Sequence, residues 1–382
     1  MLSCFEENIC FTVLTEQREM VCKIPEWVLY YPKEKQHIRN PGRIEMSEQL
    51  IVWMVKLRMI KLEDHLGRRF EKLRISLLNE CNFSCVYCVS EDFGDISVNT
   101  VQKSPADQPL TPDEFTRLIE AVHRLTGLKS IRLTGGEPLL YSNLFPLINH
   151  IQKIGISDIR LTTNAYYLKE KASRLFDAGV KSINISVDAI DQDIFNEISR
   201  HPNTSRVFSG IDAAVKAGMN VKLNAVIMRG KNDSQIIPLL DYATALGVKI
   251  RFLELMKMGH LYHSENGLFF SEKEMLSIIQ EKYAIESIQR EHAETAHYWR
   301  TSNGGTFGII ANESTPFCHD CNRLRMDSNG FFYGCLSNAH GEKLSAYMDD
   351  DFLLTEKLRG LLRLKQPVKF HGSELSMRNI GG

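Results

Sequence analysis

The chain lacks a charge excess. Its 46 Lys and Arg stand against 47 Asp and Glu, leaving −1 at pH 7 over 382 residues. No global basic field is available to hold nucleic acid or an anionic membrane, so any anionic ligand has to be met by local cations. It also lacks an apolar run long enough to cross a bilayer, which takes about 20 residues. The opening Met1-Leu2-Ser3-Cys4-Phe5-Glu6-Glu7 has no basic segment leading into a long apolar one, so no secretory signal is read and a cytoplasmic setting is expected. Nine cysteines is an odd number, and in that setting a disulfide framework is not expected. What is present, 43% hydrophobic and 24% charged residues, is the composition of an ordinary globule. The length suits one large α/β domain with an appended region.

Six of the cysteines fall into two triplets, and each triplet lacks a fourth member. Cys81, Cys85 and Cys88 form CxxxCxxC just after the run Leu73-Arg74-Ile75-Ser76-Leu77. Cys318 and Cys321 form a CxxC pair, followed after 13 residues by Cys335. Closed electron-transfer clusters use four cysteines. Three thiolates hold three irons of a cubane and leave the fourth open to something other than protein, which points to chemistry at that iron. Zinc is the alternative for each triplet, with His319 or His340 as a fourth ligand at the second, since structural zinc takes four ligands. Cys4, Cys10 and Cys22 are irregularly spaced and read as reduced thiols.

Along the chain, strand patterns at 73–77, 130–133, 158–162, 182–187, 221–227 and 248–253 alternate with helical patterns near 112–126, 143–154, 167–178, 204–217 and 233–246. Six βα repeats predict an α/β fold with a parallel sheet, a partial (β/α)6 TIM-type barrel whose chemistry lies at the C-terminal strand ends. Residues 1–61 read as an N-terminal α+β extension, with a hairpin at 9–14 and 20–24 and a helix near 46–61. Residues 62–255 form the βα core, and 256–382 a C-terminal region holding the second triplet. Residues 89–110 read as a long polar loop.

Strand two ends in Thr134-Gly135-Gly136-Glu137-Pro138. Paired glycines let backbone approach a ligand closely, and a carboxylate beside them accepts hydrogen bonds from an ammonium group. Alone, the motif equally describes a capped turn. One βα unit after the first triplet, it resembles the signature of the radical S-adenosylmethionine (SAM) enzymes. The resemblance implies a [4Fe–4S] cluster on Cys81, Cys85 and Cys88, whose open iron binds SAM and cleaves it to a hydrogen-abstracting 5′-deoxyadenosyl radical. It further implies Tyr87 near the adenine, Gly135, Gly136 and Glu137 at the SAM amino group, and Ser186 and Met256 lining the same pocket.

The second triplet carries a narrower resemblance. It encloses Asn322-Arg323-Leu324-Arg325, and two guanidinium groups so spaced suit bidentate phosphate recognition, a solvated basic turn being the alternative. The runs 317–325 and 332–336, with 66–70, 131–140, 161–164, 251–254 and the ending Ile380-Gly381-Gly382, resemble the GTP 3′,8-cyclase family, molybdenum cofactor biosynthesis protein A, over about residues 62–382. That family converts GTP to 3′,8-cyclo-7,8-dihydro-GTP, the first step of molybdopterin biosynthesis. The resemblance implies a second [4Fe–4S] cluster on Cys318, Cys321 and Cys335 that meets the purine. It implies GTP contacts from Arg74, Arg132, Lys222 and Arg251, at or beside strand starts or ends, from Thr163, and from Arg323 and Arg325 near the second cluster. Arg323, Arg325, Gly381 and Gly382 would act in catalysis, the diglycine entering the active site. A reductase or flavodoxin- or ferredoxin-type electron donor, a downstream cyclic pyranopterin monophosphate synthase and a homodimer are implied as partners. A radical SAM paralog acting on another nucleotide or on a peptide is the second reading, and a zinc-binding protein the third.

Overall fold

The computed structural model describes residues 11–13, 20–22, 62–90, 109–264 and 267–381. The chain divides into two compact units, Met1–Ile60 and Lys61–Gly382. In the first, strand β1 (Phe11–Val13) pairs antiparallel with β2 (Met20–Cys22), placing Phe11 opposite Cys22 as the expected hairpin requires. The expected helix near 46–61, Cys4, Cys10, most of the 89–110 loop and Gly382 lie outside the described residues.

The second unit is built on a sheet of twelve strands. All six strands expected from the sequence are present: β3 (Lys72–Ser76), β4 (Ser130–Thr134), β5 (Asp158–Thr163), β6 (Val180–Ser186), β7 (Asn220–Ile227) and β8 (Lys249–Glu254). They lie side by side in chain order and all parallel. The α/β fold is as expected, and the C-terminal region extends it. Three antiparallel-linked strands, β9 (Ile285–Ile288), β10 (His297–Thr301) and β11 (Thr306–Ile310), bring β11 parallel beside β8. On the other side β12 (Arg323–Met326) lies parallel to β3, followed by β13 (Phe331–Tyr333) and β14 (Glu342–Lys343). Among the described residues the order runs from β14 to β9.

The helices start and stop where local chemistry directs. In α1 (Pro112–Thr126), Thr111 accepts from the Glu114 N–H while the Glu114 carboxylate accepts from the Thr111 N–H, and Gly127 ends the helix at φ 63°. Next come α2 (Leu144–Lys153), α3 (Ala172–Asp177), α4 (Gln192–Ser199), α5 (Thr204–Lys216) and α6 (Ile236–Ala245). The C-terminal region adds α7 (Glu272–Lys282), α8 (Asp351–Arg363) and the short α9 (Met377–Ile380). The helix expected over 167–178 is shorter, and α4, capped by Asp191, went unread because eight residues give little periodicity.

Strand side chains divide cleanly between the two sheet faces. Leu73, Ile75, Ile131, Leu133 and Leu161 are fully buried and join Leu118, Ile119, Leu147 and Ile151 from the helices in the main core. Each such side chain contributes about 1.5–3 kcal/mol when fully buried. The alternate positions on the inner face are polar. Strands of parallel sheets usually read as continuous apolar runs, whereas here the inner face is a cavity wall. No described helix is long and apolar enough to cross a membrane.

Candidate functional site

The first triplet sits on the loop leaving β3, where Cys81, Cys85 and Cys88 are free thiols, none of them exposed. This loop is laid directly on the Gly135-Gly136 turn that leaves β4. The Gly136 N–H donates to the Leu78 carbonyl at 2.8 Å and the Glu137 N–H to the Glu80 carbonyl at 2.9 Å. A Cβ on Gly136 would stand 2.0 Å from the Glu80 oxygen, and one on Gly135, whose φ is 139°, 2.7 Å from the Leu78 oxygen. The glycines are therefore required for contact between two protein loops, a different close approach from the ligand contact expected of them.

Glu137 is fully buried and its carboxylate is already engaged. Oε1 accepts from the Leu139 N–H at 3.0 Å and the Thr163 hydroxyl at 2.7 Å, and Oε2 from the Asn164 N–H at 2.8 Å. Burial lifts its pKa to about 7 despite these donors. Thr163 also accepts from the Ala165 N–H at 3.0 Å, so its hydroxyl works on the Glu137 side of β5. Its neighbour Thr162 is the one that lines the cavity, where its hydroxyl accepts from Arg132 at 3.3 Å. Tyr87 donates to Asp188 at 2.8 Å, and Asp188 also accepts from the Val226 N–H. Burial raises Asp188 to about 6. Ser186 closes β6, and Met256, two residues past β8, borders the cavity with its sulfur accepting from the Asn312 amide at 2.9 Å.

The expected cations do converge, in two adjoining cavities of about 200 and 120 Å³. Arg323 opens β12, while Arg74, Arg132, Lys222 and Arg251 are each the third residue of their strand, and alternate side chains inside a barrel wall point to the lumen. Register places Arg325 opposite Arg74, Arg74 opposite Arg132 and Arg132 opposite Arg160, a rung of four arginines across four adjacent strands. Like charges directly opposite are destabilising. Burial first, then the neighbouring cations, push Arg74 well below its ordinary value, Arg132 to about 9, Lys222 to about 8 and Arg325 to about 10. Among the described residues none of these pairs with a carboxylate; Arg251 is instead oriented by Asn224, which accepts from its Nε at 2.9 Å and Nη2 at 2.6 Å. Arg160 is raised by its hydrogen bond to Asp158. Arg160, Lys72 and Thr162 are lining residues the sequence reading missed. A larger cleft of about 540 Å³, between α1 and α2, includes none of these groups.

The second triplet borders the same cavity with Arg323 and Arg325. The Arg68 guanidinium, held by Asp64 at 2.6 Å, donates to the carbonyls of Cys318 at 2.8 Å and Gln366 at 2.7 Å. Asp320, between the paired cysteines, binds Arg290 through both oxygens at 2.8 and 2.9 Å and accepts from the Ala293 N–H at 2.7 Å. Ala293 adopts φ 58°, a backbone costing about 1–3 kcal/mol, and its loop forms one wall of the cavity. Against the cost of burial, Arg323 and Lys365 bring the Cys321 thiol down to about 5, while burial pushes Cys81 and Cys318 up to about 11. The C-terminal segment enters between the two triplets. Ser376 donates to the Cys88 carbonyl at 3.3 Å, Arg378 to that of Asn79, and Ser76 to that of Arg378 at 3.0 Å. Arg325 donates to the carbonyls of Ile380 and Gly381.

Comparison with known proteins agrees with this arrangement. Residues 75–243 match the Radical SAM superfamily and 248–370 match Molybdenum Cofactor Synthesis C. The GTP 3′,8-cyclase of Staphylococcus haemolyticus is 41% identical over 298 residues, covering 75% of this chain and 85% of its own. That of Staphylococcus aureus strain MRSA252 is 39% identical over 318 residues, covering 80% and 91%. Among solved structures, Streptococcus suis SuiB bound to precursor peptide SuiA superposes with a TM-score of 0.57 at 14% identity, over 86% of this chain and 75% of that one. SuiB bound to S-adenosylmethionine superposes at 0.53 and 15%, over 86% and 74%. At such identity the likeness is one of fold. With relatives at this level covering most of both chains, the protein belongs to the GTP 3′,8-cyclase family of radical SAM enzymes.

Proposed function

We propose that the chain is a GTP 3′,8-cyclase that carries out the first step of molybdenum cofactor biosynthesis, with GTP bound along the arginine rung between two [4Fe–4S] clusters. Membership of the radical SAM superfamily implies one cluster and SAM. Cys81, Cys85 and Cys88 fit the first: three non-exposed thiols on one loop, beside an Asn82 Nδ2 that is buried with no hydrogen-bond partner. Such an orphaned donor suits a group whose sulfides accept hydrogen bonds. Cys318, Cys321 and Cys335 fit the second. His319, one of the two fourth ligands a zinc site would need, is 66% exposed beside Asp320. When bound, the first cluster and SAM supply a 5′-deoxyadenosyl radical that takes a hydrogen from the ribose.

The protein's own part is positioning. Gly135 and Gly136 let the SAM-facing turn and the cysteine loop pack as one body, and Glu137 ties that turn to β5. Tyr87, Ser186 and Met256 complete the SAM wall. Arg74, Arg132, Lys222 and Arg251, with Arg160, meet the triphosphate, Arg323 and Arg325 lie toward the second triplet, and Thr163 acts behind the wall through Glu137. Gly381 and Gly382 act in catalysis, and Gly381 already brings backbone without a side chain to Arg325. A reductase or a flavodoxin- or ferredoxin-type donor supplies electrons in the cytoplasm. The product passes to a cyclic pyranopterin monophosphate synthase, and the working form is a homodimer.

The observation that carries this reading is the rung of four arginines bordered by the second triplet. Polyanion binding converts mutual repulsion there into charged hydrogen bonds. Anaerobic incubation with SAM, reductant and a panel of nucleotides should yield 5′-deoxyadenosine and a cyclised product from GTP. Product from another nucleotide, or none from GTP, would overturn it.

A further inference from the structure

We propose that Lys365 is a positioning residue that raises the reduction potential of the second cluster, acting through an ammonium group held against the Cys321 sulfur. This rests on the two-cluster reading above. Lys365 follows α8, away from both segments that carry the triplet, and is only 4% exposed. Its Nζ donates to Cys321 Sγ at 3.3 Å, to the Arg323 carbonyl at 2.9 Å and to the Gly334 carbonyl at 2.9 Å. An ammonium has three donors, and all three are used. One carbonyl lies two residues after Cys321 and the other immediately before Cys335, so a single cation links the two segments that hold the cluster ligands. Its own backbone is fixed in turn, since Arg68 donates to the Lys365 carbonyl at 3.2 Å.

A buried lysine needs a negative partner. Among the described residues no carboxylate forms a salt bridge with Lys365, and the anions within reach are the cysteine thiolates. At the first triplet the groups that hydrogen-bond sulfur are neutral: the Asn164 amide at 3.8 Å and Phe83 N–H at 3.4 Å on Cys81, the Tyr87 hydroxyl on Cys85, and the Ser376 hydroxyl at 4.0 Å with the Arg378 backbone N–H on Cys88. The Arg378 guanidinium is bonded to the Asn79 carbonyl and acts on Cys81 and Cys88 through space only. Hydrogen bonds to sulfur and local charge set cluster potentials. A cation at hydrogen-bond distance stabilises the more negative, reduced state. The two clusters are thereby poised differently by residues outside either cysteine motif.

The test uses the full chain, purified anaerobically, with iron counted and each cluster's electron paramagnetic resonance signal titrated against potential. The second cluster is recognised as the signal that GTP, rather than SAM, perturbs. Lys365→Gln keeps donors but removes the charge, and Lys365→Arg keeps both. In the glutamine variant at full iron, the reduced-to-oxidised ratio of the second cluster at fixed potential should fall at least tenfold, about 59 mV for one electron. The first cluster should stay unchanged and the arginine variant should track the wild type. An unchanged second potential, or equal shifts in both clusters, overturns the proposal. If the glutamine variant loses iron, ¹⁵N-lysine labelling of the wild type decides: a lysine nitrogen coupled to the reduced second cluster supports it, and no coupling overturns it. Wild type with about four rather than eight irons per chain would instead remove the two-cluster reading itself, since each cubane carries four.

Discussion

Lys222 makes GTP binding pH-dependent in a direction that can be worked out beforehand. Burial, then Arg251 and Lys249, bring its pKa to about 8 in the free protein. A triphosphate against it restores a value nearer the ordinary one of about 10.4. Below the free value Lys222 is charged with or without ligand, so its contribution to affinity is full and flat. Above about pH 8 the free enzyme has to take up a proton to bind, and affinity falls about tenfold per unit until the bound-state value is passed. Replacing Lys222 with alanine removes one charged hydrogen bond, about 1.5–3 kcal/mol, or roughly ten- to a hundred-and-fiftyfold in Kd at neutral pH. The variant should then show little slope between about pH 7.5 and 8.5, since the guanidinium groups around the site keep their charge there. The two curves therefore converge as pH rises. The same sign governs stability: the cost of a charged Lys222 in the empty protein is fully present below about pH 8 and disappears above about 10.4. GTP should accordingly raise Tm more near neutrality than in alkali. Titration calorimetry of GTP into cluster-loaded protein, without SAM or reductant, reads the affinities. Parallel curves for wild type and variant would refute the placement of Lys222 at the phosphates.

Other outcomes follow from the same geometry. Cys85→Ser should abolish 5′-deoxyadenosine formation and remove about four irons per chain, because the first cluster loses one of three ligands; full SAM cleavage would count against the first triplet. Arg251→Ala and Arg160→Ala should each weaken GTP binding about ten- to a hundredfold while leaving SAM binding nearly unchanged, measured by calorimetry with each ligand. Deleting Gly381 and Gly382 should spare both clusters and GTP binding but greatly reduce cyclised product, followed by mass spectrometry beside 5′-deoxyadenosine; normal product yield would show the ending to be idle. Gly136→Ala should lower Tm and first-cluster iron together, since its Cβ would meet the Glu80 oxygen at 2.0 Å and overpacking costs about 1–3 kcal/mol or more.

Much of the site was legible because its chemistry is local in the chain. Ligand spacing within a loop, as at Cys81–Cys88, and a motif at a strand end need no tertiary information. The six central strands were legible for the same reason. What escaped was set by partners distant in sequence. Strand β12 reads Arg323-Leu324-Arg325-Met326, too polar and short to suggest a strand until β3 is beside it. Which of Thr162 and Thr163 faces the lumen depends on the pleat; the resemblance pointed to Thr163, whose hydroxyl bonds Glu137, while Thr162 lines the cavity. Placing the cations only at or beside strand starts or ends missed an available signal. Lys72-Leu73-Arg74, Asp158-Ile159-Arg160 and Lys249-Ile250-Arg251 alternate polar and apolar residues inside a parallel sheet, where unbroken apolar runs are usual. That alternation announces a polar lumen and would have drawn in Arg160. Lys365 carried no local signal, since its meaning lies in carbonyls and a sulfur contributed by residues 321–334.

The bond between Asp320 and the Ala293 loop ties the second cysteine triplet to the proposed nucleotide cavity, so iron supply would bear on how the protein treats the cell's nucleotide pool. Asp320 stands between two cysteines of the second triplet, and its hydrogen bonds hold Ala293 in a backbone conformation that would otherwise relax. That loop is a wall of the cavity in which the triphosphate is proposed to sit. Where the second triplet holds a cluster as proposed, chains made during iron starvation would keep the Cys318–Cys321 turn only through its Arg68 and Arg290 contacts, and the wall would be held less firmly. Such chains should release GTP faster than loaded ones, visible as a higher dissociation rate in cluster-free protein. An idle population would thus leave the nucleotide to other users instead of sequestering it.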